Sequence, residues 1–139
     1  MAIFLNNKVG FKLNTVDLSD HVTAFTLNRQ ADQLEVTAMG DTAHKFVTGL
    51  SADTITVSFL NDTAAASVLA TLQAAFGTTV AFSALQDKAT AVSATNKLYT
   101  GTVLVDNLTD IAGAVADEAM IDITFTCNST TALATTGTF

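Results

Sequence analysis

Strict alternation between apolar and polar side chains over residues 53–61 constrains the fold of this chain more than any other feature. The apolar positions are Ile55, Val57 and Phe59, and the polar positions are Thr54, Thr56 and Ser58. Since every second side chain of a strand lies on the same face, this segment predicts a strand with one apolar and one polar face. The pattern is typical of an antiparallel sheet that covers a core on one side and meets water on the other.

The same alternation returns in residues 119–127 and, less strictly, in four other segments. In residues 119–127 the apolar positions are Ile121, Ile123 and Phe125, and the polar positions are Asp122, Thr124 and Thr126. Residues 21–29, 33–38, 80–84 and 98–106 also lack a helical stripe and are interpreted as strands. The abundance of threonine, which is stiff at χ1 and suits strands, agrees with this interpretation.

One segment has the helical period instead. Val68, Leu69, Leu72, Ala75 and Phe76 form a single stripe, which predicts a helix over residues 64–76. Asp62 or Thr63 is a suitable N-terminal cap, and Gly77 follows as a helix stop. The sequence therefore predicts an α+β, mainly β fold. We expect one domain over residues 1–139, a β-sandwich-like arrangement of six to seven strands with one flanking helix.

Composition restricts the class of function. The chain of 139 residues has 49% apolar and only 14% charged residues, and its net charge of −7 disfavours stable binding to nucleic acid. Proline is absent, so every strand edge keeps its backbone donors, which favours pairing between neighbouring subunits. The uncharged stretch between Asp62 and Asp87 is long enough to span a bilayer, but its polar residues and Gly77 favour a helix followed by a strand.

A long loop is predicted between two of the strands, over residues 39–52. Its Gly-Asp-Thr sequence and second glycine indicate turns. Phe46, Val47 and Leu50 are apolar residues in this apparently exposed loop, and loops of that kind are often contact elements.

The two ends of the chain carry weaker signals. In the N-terminal segment, residues 1–20, the apolar start is four residues long and too short for the core of a signal peptide, so we expect the protein to stay in a cytoplasm. The C-terminal tail, residues 128–139, is rich in Ser, Thr and Ala, and we expect it either to be disordered or to pair with a neighbouring subunit.

The residues that usually carry catalysis are few and scattered. Asp41 and His44 share a turn that would make half of a metal site, but no second cluster supplies further ligands. His21 lies in another element. Cys127 follows Phe125 on the apolar side of its strand, which is typical of a buried structural cysteine. No nucleotide-binding or hydrolase motif is present. We therefore expect no catalytic residues, no metal, no cofactor and no enzymatic activity.

Several strings resemble the tail tube (major tail) proteins of long-tailed, non-contractile bacteriophages. They include Glu-Val-Thr-Ala-Met-Gly-Asp-Thr at residues 35–42, Phe-Val-Thr-Gly-Leu at 46–50, Asp-Thr-Ile-Thr-Val-Ser-Phe at 53–59, and Tyr-Thr-Gly-Thr-Val-Leu-Val at 99–105. The Ala-Gly-Ala-Val loop at residues 112–115 follows the last of these strings. With the order of elements, the resemblance covers roughly three quarters of the chain, from Asp20 to Cys127.

The resemblance implies a structural protein of the virion tail, assembled in the host bacterial cytoplasm. Six copies would form a ring with a continuous inner barrel, and rings would stack into the hollow tube through which DNA is ejected. The inter-ring stacking loop would consist of Met39, Gly40, Asp41, Thr42, His44, Phe46, Val47 and Leu50. The lumen-facing residues would be Thr54, Thr56, Ser58, Asp122, Thr124 and Thr126.

The resemblance also implies partners. The tape-measure protein and double-stranded DNA would pass through the lumen without tight binding, tail-tip and tail-terminator proteins would bind the two ends of the tube, and no membrane would be contacted. The helix would cover the sheet on the outer side of the tube.

Three other interpretations remain open. One is a capsid-decoration or head–tail connector protein of a phage, and another is the tube of a contractile tail. A carbohydrate-binding sandwich belongs to a different class, but it normally exposes Trp or Tyr for sugar stacking. Trp is absent here and Tyr99 is the only tyrosine.

Overall fold

The computed structural model describes residues 7–139 of the chain and contains ten strands and one α-helix. The apolar start at residues 2–5 lies outside the described residues. The strands are β1 (Gly10–Leu13), β2 (Val16–Asp17), β3 (Val22–Asn28), β4 (Ala31–Glu35), β5 (Phe46–Ser51), β6 (Thr54–Leu60), β7 (Thr79–Leu85), β8 (Leu98–Leu104), β9 (Met120–Cys127) and β10 (Ala132–Ala134). The helix α1 spans Val68–Ala75, and a short 3-10 turn spans Ser19–His21.

Eight strands form one antiparallel sheet that folds back on itself. Their order is β2-β1-β7-β8-β9-β6-β3, with β10 also paired to β8. Strands β8 and β9 pair only through Val103 with Cys127 and Leu104 with Thr126, so the sheet turns a corner there. The Phe11 ring of β1 lies 5.2 Å from the ring of Phe25 in β3, although these strands are far apart in the sheet order. The two halves therefore face each other as in a sandwich.

The core lies between the two halves and is formed by the apolar faces that alternation predicts. Every second residue of β6 and β9 is buried, and burial of each such side chain stabilises the fold by about 1.5–3 kcal/mol. The largest fully buried side chains are Phe11, Phe59, Phe125, Leu13, Leu18, Ile55, Leu72 and Ile121. The predicted α+β, mainly β class with one helix is confirmed, although the number of strands is ten rather than six or seven.

The helix is shorter than predicted. It begins at Val68 instead of residue 64, because Ala66 has a φ of +60° and cannot belong to a right-handed helix. Asp62 Oδ1 accepts a hydrogen bond from the backbone N of Ala64 at 2.9 Å, which holds the chain in a turn before the helix. Phe76 has an extended ψ of 130° and lies outside the helix, so it is exposed rather than part of the buried stripe.

The predicted loop at residues 39–52 is wrong for residues 46–51, while residues 39–45 do connect two strands. Phe46–Ser51 forms strand β5, which pairs with β4 as a two-stranded sheet separate from the main one. The register places Glu35 opposite Phe46 and Leu34 opposite Val47, so the connection between the strands is residues 36–45. The second predicted strand, residues 33–38, accordingly shifts to Ala31–Glu35.

Both terminal segments contain strands that the sequence did not predict. Strand β1 lies within the predicted N-terminal segment, pairs with β7 and buries Phe11 and Leu13. The C-terminal tail pairs within its own chain, since β10 lies against β8. The ring of Phe139 lies 4.5 Å from Nζ of Lys12, in a cation–π contact on β1.

A substitution at Gly101 of β8 tests how closely the core is packed. A Cβ at this position would lie 2.9 Å from Cε1 of Phe82 and 3.1 Å from Oγ of Ser129, closer than carbon contacts allow. We expect Gly101→Ala to lower the free energy of unfolding by about 1–3 kcal/mol through overpacking, measured by urea denaturation. Gly113→Ala is the matched control, since its Cβ meets nothing within 4 Å and its stability should stay close to that of the unaltered chain.

Candidate assembly surfaces

The hairpin of β4 and β5, residues 31–51, projects from the sandwich and is here called the arm. Every residue of both strands is exposed. The base of the arm is closed by a hydrogen bond from the backbone N of Ala52 to the carbonyl of Gln30 at 2.6 Å. Because the arm packs mainly on itself, it does not contribute to the sandwich core.

The arm presents an apolar surface to solvent. Met39 is fully exposed, Leu50 is 80% exposed, and four further apolar side chains are about half exposed. These four are Leu34, Val36, Phe46 and Val47. Leu34 and Val47 are cross-strand partners and share one face of the arm, whereas Phe46 lies on the other face, opposite Glu35. Exposed apolar side chains on both faces, with no cover within residues 7–139, are typical of a protein–protein contact.

Polar contacts hold the turn of the arm in one conformation. Asp41 accepts hydrogen bonds from Nζ of Lys45 and from the backbone N of Ala38, both at 2.8 Å. Both hydrogen bonds lower the pKa of the Asp41 carboxyl, and the one from Lys45 has the larger effect. His44 contacts Glu35 rather than Asp41, at 2.8 Å, so the half metal site considered from sequence does not form.

A buried carboxylate anchors the base of the arm. Asp53, directly before β6, is only 4% exposed and accepts hydrogen bonds from the backbone N of Gln30 at 3.1 Å and of Thr131 at 3.0 Å. Its own carbonyl accepts from the backbone N of Cys127 at 3.0 Å. Asp53 therefore joins the arm, the end of β9 and the C-terminal tail.

All six residues predicted to face a lumen lie on one face of the sheet. They form three cross-strand pairs of β6 and β9, namely Thr54 with Thr126, Thr56 with Thr124, and Ser58 with Asp122. Thr26 and Asn28 of β3 extend this polar face, since they pair with Thr56 and Thr54. We call this surface the polar face. The structure brings the six residues together, and the arm residues form a second, separate surface.

Three further exposed apolar residues, Phe76, Ile111 and Val115, were not predicted as contact residues from the sequence. Phe76 is 54% exposed, and Ile111 and Val115, in the connection between β8 and β9, are almost fully exposed. The only signal in the sequence is the run of small and apolar residues at 111–116, which lacks any period.

The residues considered for catalysis have structural partners. His21 Nε2 lies 3.0 Å from Asp62 Oδ2. Burial, and then the charge of Asp53, raises the pKa of the Cys127 thiol. Within residues 7–139, no three His, Cys, Asp or Glu residues are grouped as a metal site would require. In the same part of the chain, no helix is long and apolar enough to cross a membrane.

Comparison with solved structures finds the same fold in particles with tails. The chain is 12% identical to a chain of the virion of a native gene transfer agent, with a TM-score of 0.71. The match covers 95% of this chain and 99% of that one. A chain from the tail of an empty gene transfer agent particle, refined helically with C6 symmetry, is 13% identical, with a TM-score of 0.66 and coverage of 96% and 99%.

A third similar structure belongs to the six-fold symmetrised baseplate of the anti-feeding prophage. Here the identity is 8%, the TM-score is 0.60, and 96% of this chain and 97% of that chain are covered. No family model and no curated protein sequence matches the chain. The predicted resemblance to tail tube proteins is thus confirmed at the level of the fold.

Proposed function

We propose that this protein is a structural subunit of a phage-type tail, whose copies form rings that stack into a hollow tube for the passage of DNA. The observation that carries the proposal is the projecting arm, whose exposed apolar side chains have no partner surface within the described chain. The shared fold with chains of tailed particles supports it.

Rings would close through strand edges. Strand β3 is the last strand of the main sheet and spans seven residues, so one of its edges has no strand beside it among residues 7–139. A neighbouring copy would pair with this edge in a head-to-tail contact that closes by rotation. A six-fold ring agrees with the C6 symmetry of the similar gene transfer agent tail.

The arm would connect one ring to the next. Its apolar side chains would be covered by the neighbouring ring, and its turn, fixed by the Asp41–Lys45 contact, would enter that contact already ordered. The eight residues assigned to stacking from sequence all belong to residues 39–50 and lie on the arm.

The polar face would line the lumen. Its hydroxyl groups and the Asp122 carboxylate offer no positive charge to the phosphates of DNA. Six copies at −7 each would give a ring a net charge of −42, which repels the duplex and lets it slide. The tape-measure protein would occupy the same channel before ejection, and tail-tip and tail-terminator proteins would close the ends.

The proposal is tested by negative-stain electron microscopy of the purified, concentrated protein, with light scattering on the same sample. Hollow tubes or rings of uniform diameter are expected. A discrete trimer or another small closed oligomer would instead point to a capsid-decoration or head–tail connector protein.

The tube of a contractile machine is a second candidate, favoured by the likeness to the anti-feeding prophage baseplate. Both candidates place the same surfaces in the same contacts. They differ in whether the outside of the tube binds a sheath protein, which co-purification of the assembled tube from its natural particle would reveal.

Reversing the charge of the polar face should change how strongly the tube binds DNA. Asp122 is exposed on β9, so Asp122→Lys should leave the fold intact while replacing six negative charges per six-fold ring by six positive ones. We expect tubes of this variant to retain DNA at low salt, with binding that falls steeply as salt is raised. The measurement is the amount of short DNA duplex that sediments with the tubes. If tubes of the variant and of the unaltered chain retain the same amount of duplex, the assignment of this face to the lumen is contradicted.

A further inference from the structure

Strand β9 has an open edge of its own, on the side away from β6. It pairs with β8 only near its C-terminal end, where Thr126 lies opposite Leu104. The chain then leaves the line of β8, because the backbone N of Val105 donates to the carbonyl of Thr78 instead. Within the described part of the chain, residues 120–125 of β9 therefore have a strand on one side only.

The ladder between β6 and β9 determines which backbone groups of β9 point into this open edge. The backbone N of Asn61 donates to the carbonyl of Ala119 at 2.9 Å, so the odd-numbered positions are the hydrogen-bonded pairs of this ladder. Bonded and non-bonded pairs alternate along antiparallel strands. The N–H and C=O groups of Met120, Asp122 and Thr124 therefore point away from β6, into the open edge.

The open edge of β3 is determined in the same way. The backbone N of Ala52 donates to the carbonyl of Gln30 at 2.6 Å, so the even-numbered positions of β3 are the ones that bond to β6. The N–H and C=O groups of Phe25 and Leu27 therefore point outward. The bulge of this strand comes before Ala24 and leaves both residues in the regular part of the ladder.

The faces of the side chains decide in which direction the two edges can be joined. Phe25 and Leu27 face the core, whereas Asp122 and Thr124 belong to the polar face. In an antiparallel pair, residues whose backbone groups point at each other lie opposite with their side chains on the same face. Antiparallel pairing would therefore join the core face of one copy to the polar face of the next. In a parallel pair, a residue whose groups point at the partner lies beside one whose groups point away, so both faces continue.

Ring symmetry requires the same direction. Strands β3 and β9 are both antiparallel to β6, so they run parallel to each other within one subunit. Rotation about a ring axis carries β9 of one copy onto β9 of the next without reversing its direction along that axis. In a ring, β3 would thus meet the neighbouring β9 as a parallel strand.

Apart from the bulge at the start of β3, neither edge has the features that usually prevent pairing. Strand β3 has no charged residue, β9 has only Asp122, and neither contains proline. The side chains of Phe25 and Leu27 are only half-buried and line an open groove together with Tyr99. The core is therefore incompletely covered beside β3, where a further strand would lie.

We propose that β3 of one subunit pairs in parallel with β9 of the next subunit, an inference that deepens the proposed function and rests on it. In the register that uses the most backbone groups, Thr26 lies opposite Asp122, and each outward N–H and C=O group of Phe25 and Leu27 has a partner in β9. A shift by two residues would bring Leu27 to Thr126, which already pairs with β8, and the opposite shift would pass the beginning of β9. A second copy of this chain then fills each open edge.

Disulfide trapping tests this pairing. Thr26→Cys and Asp122→Cys are combined with Cys127→Ser, which removes the natural thiol, and the assembled protein is oxidised gently. Within one subunit these two positions lie on either side of β6, about 10 Å apart for two strand spacings, which is too far for a disulfide. A ladder of linked chains on a non-reducing gel is expected, since each copy links to the next.

The two single cysteine variants, each with Cys127→Ser, are the matched controls. Each has a thiol at one edge only, so neither Thr26→Cys nor Asp122→Cys should link by itself when unlike edges are joined. A mixture of the two should give linked pairs and nothing longer. Linked pairs from Thr26→Cys alone would show that β3 pairs with β3 of another copy, an isologous contact, and would overturn the inference.

A proline in the open edge of β9 provides the second measurement. The side chain of Thr124 is exposed and its N–H points outward, so Thr124→Pro should keep the circular dichroism spectrum of the unaltered chain. It removes a donor and places a ring where the neighbouring β3 would lie. We expect the protein concentration required for rings and tubes to rise by about tenfold or more. Thr124→Val keeps the donor and should assemble like the unaltered chain.

The outcomes separate this inference from the proposed function. Tubes of the double cysteine variant that give no ladder would overturn the inference and leave the tube subunit standing. A folded Thr124→Pro variant that assembles normally would contradict it as well, and if this variant does not fold, the ladder decides. If the unaltered chain itself forms neither rings nor tubes, the proposed function fails and the inference fails with it.

Discussion

The Phe46→Asp variant is expected to stay in solution as single subunits or single rings under conditions in which the unaltered chain forms tubes. Phe46 is half exposed on β5 and contributes to the apolar surface of the arm. Burying this ring between subunits contributes about 1.5–3 kcal/mol. An Asp in the same place would leave a carboxylate without a partner in a dry contact, which costs several kcal/mol more. The concentration required for tubes should therefore rise by more than about a hundredfold.

The measurement is light scattering against protein concentration, followed by electron microscopy. Phe46→Leu is the control, since it keeps an apolar side chain, and it should shift the required concentration only slightly. Circular dichroism should show the same fold for both variants, because the ring lies outside the sandwich core. Normal tubes from Phe46→Asp would show that the arm does not connect the rings.

The Asp53→Asn variant is expected to lose about 2–3 kcal/mol of the free energy of unfolding. Each carboxylate oxygen of Asp53 accepts one backbone hydrogen bond, from Gln30 and from Thr131, and the side chain is buried. An amide has only one acceptor oxygen, so its NH₂ group would meet a backbone donor, and hydrogen bonds to a charged group contribute about 1.5–3 kcal/mol. Asp122→Asn, exposed on the same sheet, is the control and should change stability by less than about 0.5 kcal/mol.

The effect of Asp53→Asn should depend on pH in a defined direction. Burial raises the pKa of the Asp53 carboxyl, but the hydrogen bonds from Thr131 and Gln30 and the charge of Arg29 outweigh burial, so its pKa lies below the ordinary value of 3.8. A carboxyl whose pKa is lower in the folded state stabilises the fold above its unfolded pKa, and this contribution is lost as pH falls through the folded pKa.

Urea unfolding of both proteins at pH 7 and at pH 3 and below, at concentrations too low for assembly, measures this dependence. The difference in stability between the unaltered chain and the variant should be largest at neutral pH and shrink in acid. A difference that stays constant over this range would mean that the charge of Asp53 does not contribute.

The central strands were predictable because burial differs between their two faces. Over residues 54–59 of β6 and 121–126 of β9, each apolar residue faces the core and each polar residue faces outward, so the period of two is visible in the sequence. The six polar residues proposed for the lumen share one face for the same reason. Where one face is buried, the pattern of side chains and the register of the strand are determined together.

The arm could not be recognised as a hairpin because both of its faces are exposed. Without a buried face, Val47, Thr48, Gly49 and Leu50 show no alternation, although Val47 and Thr48 pair with Leu34 and Gln33 of β4. The positive φ of Ala66 likewise interrupts a run of good helix formers, so the helix begins later than residue propensities predict.

The anchor at Asp53 depends on contacts between distant parts of the chain. Its partners Gln30 and Thr131 are 23 and 78 residues away in sequence, so the sequence alone shows only an acidic residue before a strand. The hydrogen bond from Gln73 to Asp110 likewise joins residues 37 apart in sequence, which no local pattern predicts.

Helical reconstruction by cryo-electron microscopy of the assembled protein tests the central proposal most directly. We expect a hollow six-fold tube in which the arm of each subunit lies against the next ring and the Asp122 carboxylates line the channel. A closed oligomer without an axial repeat, or a tube in which Asp122 lies on the outer surface or within a subunit, would contradict this account.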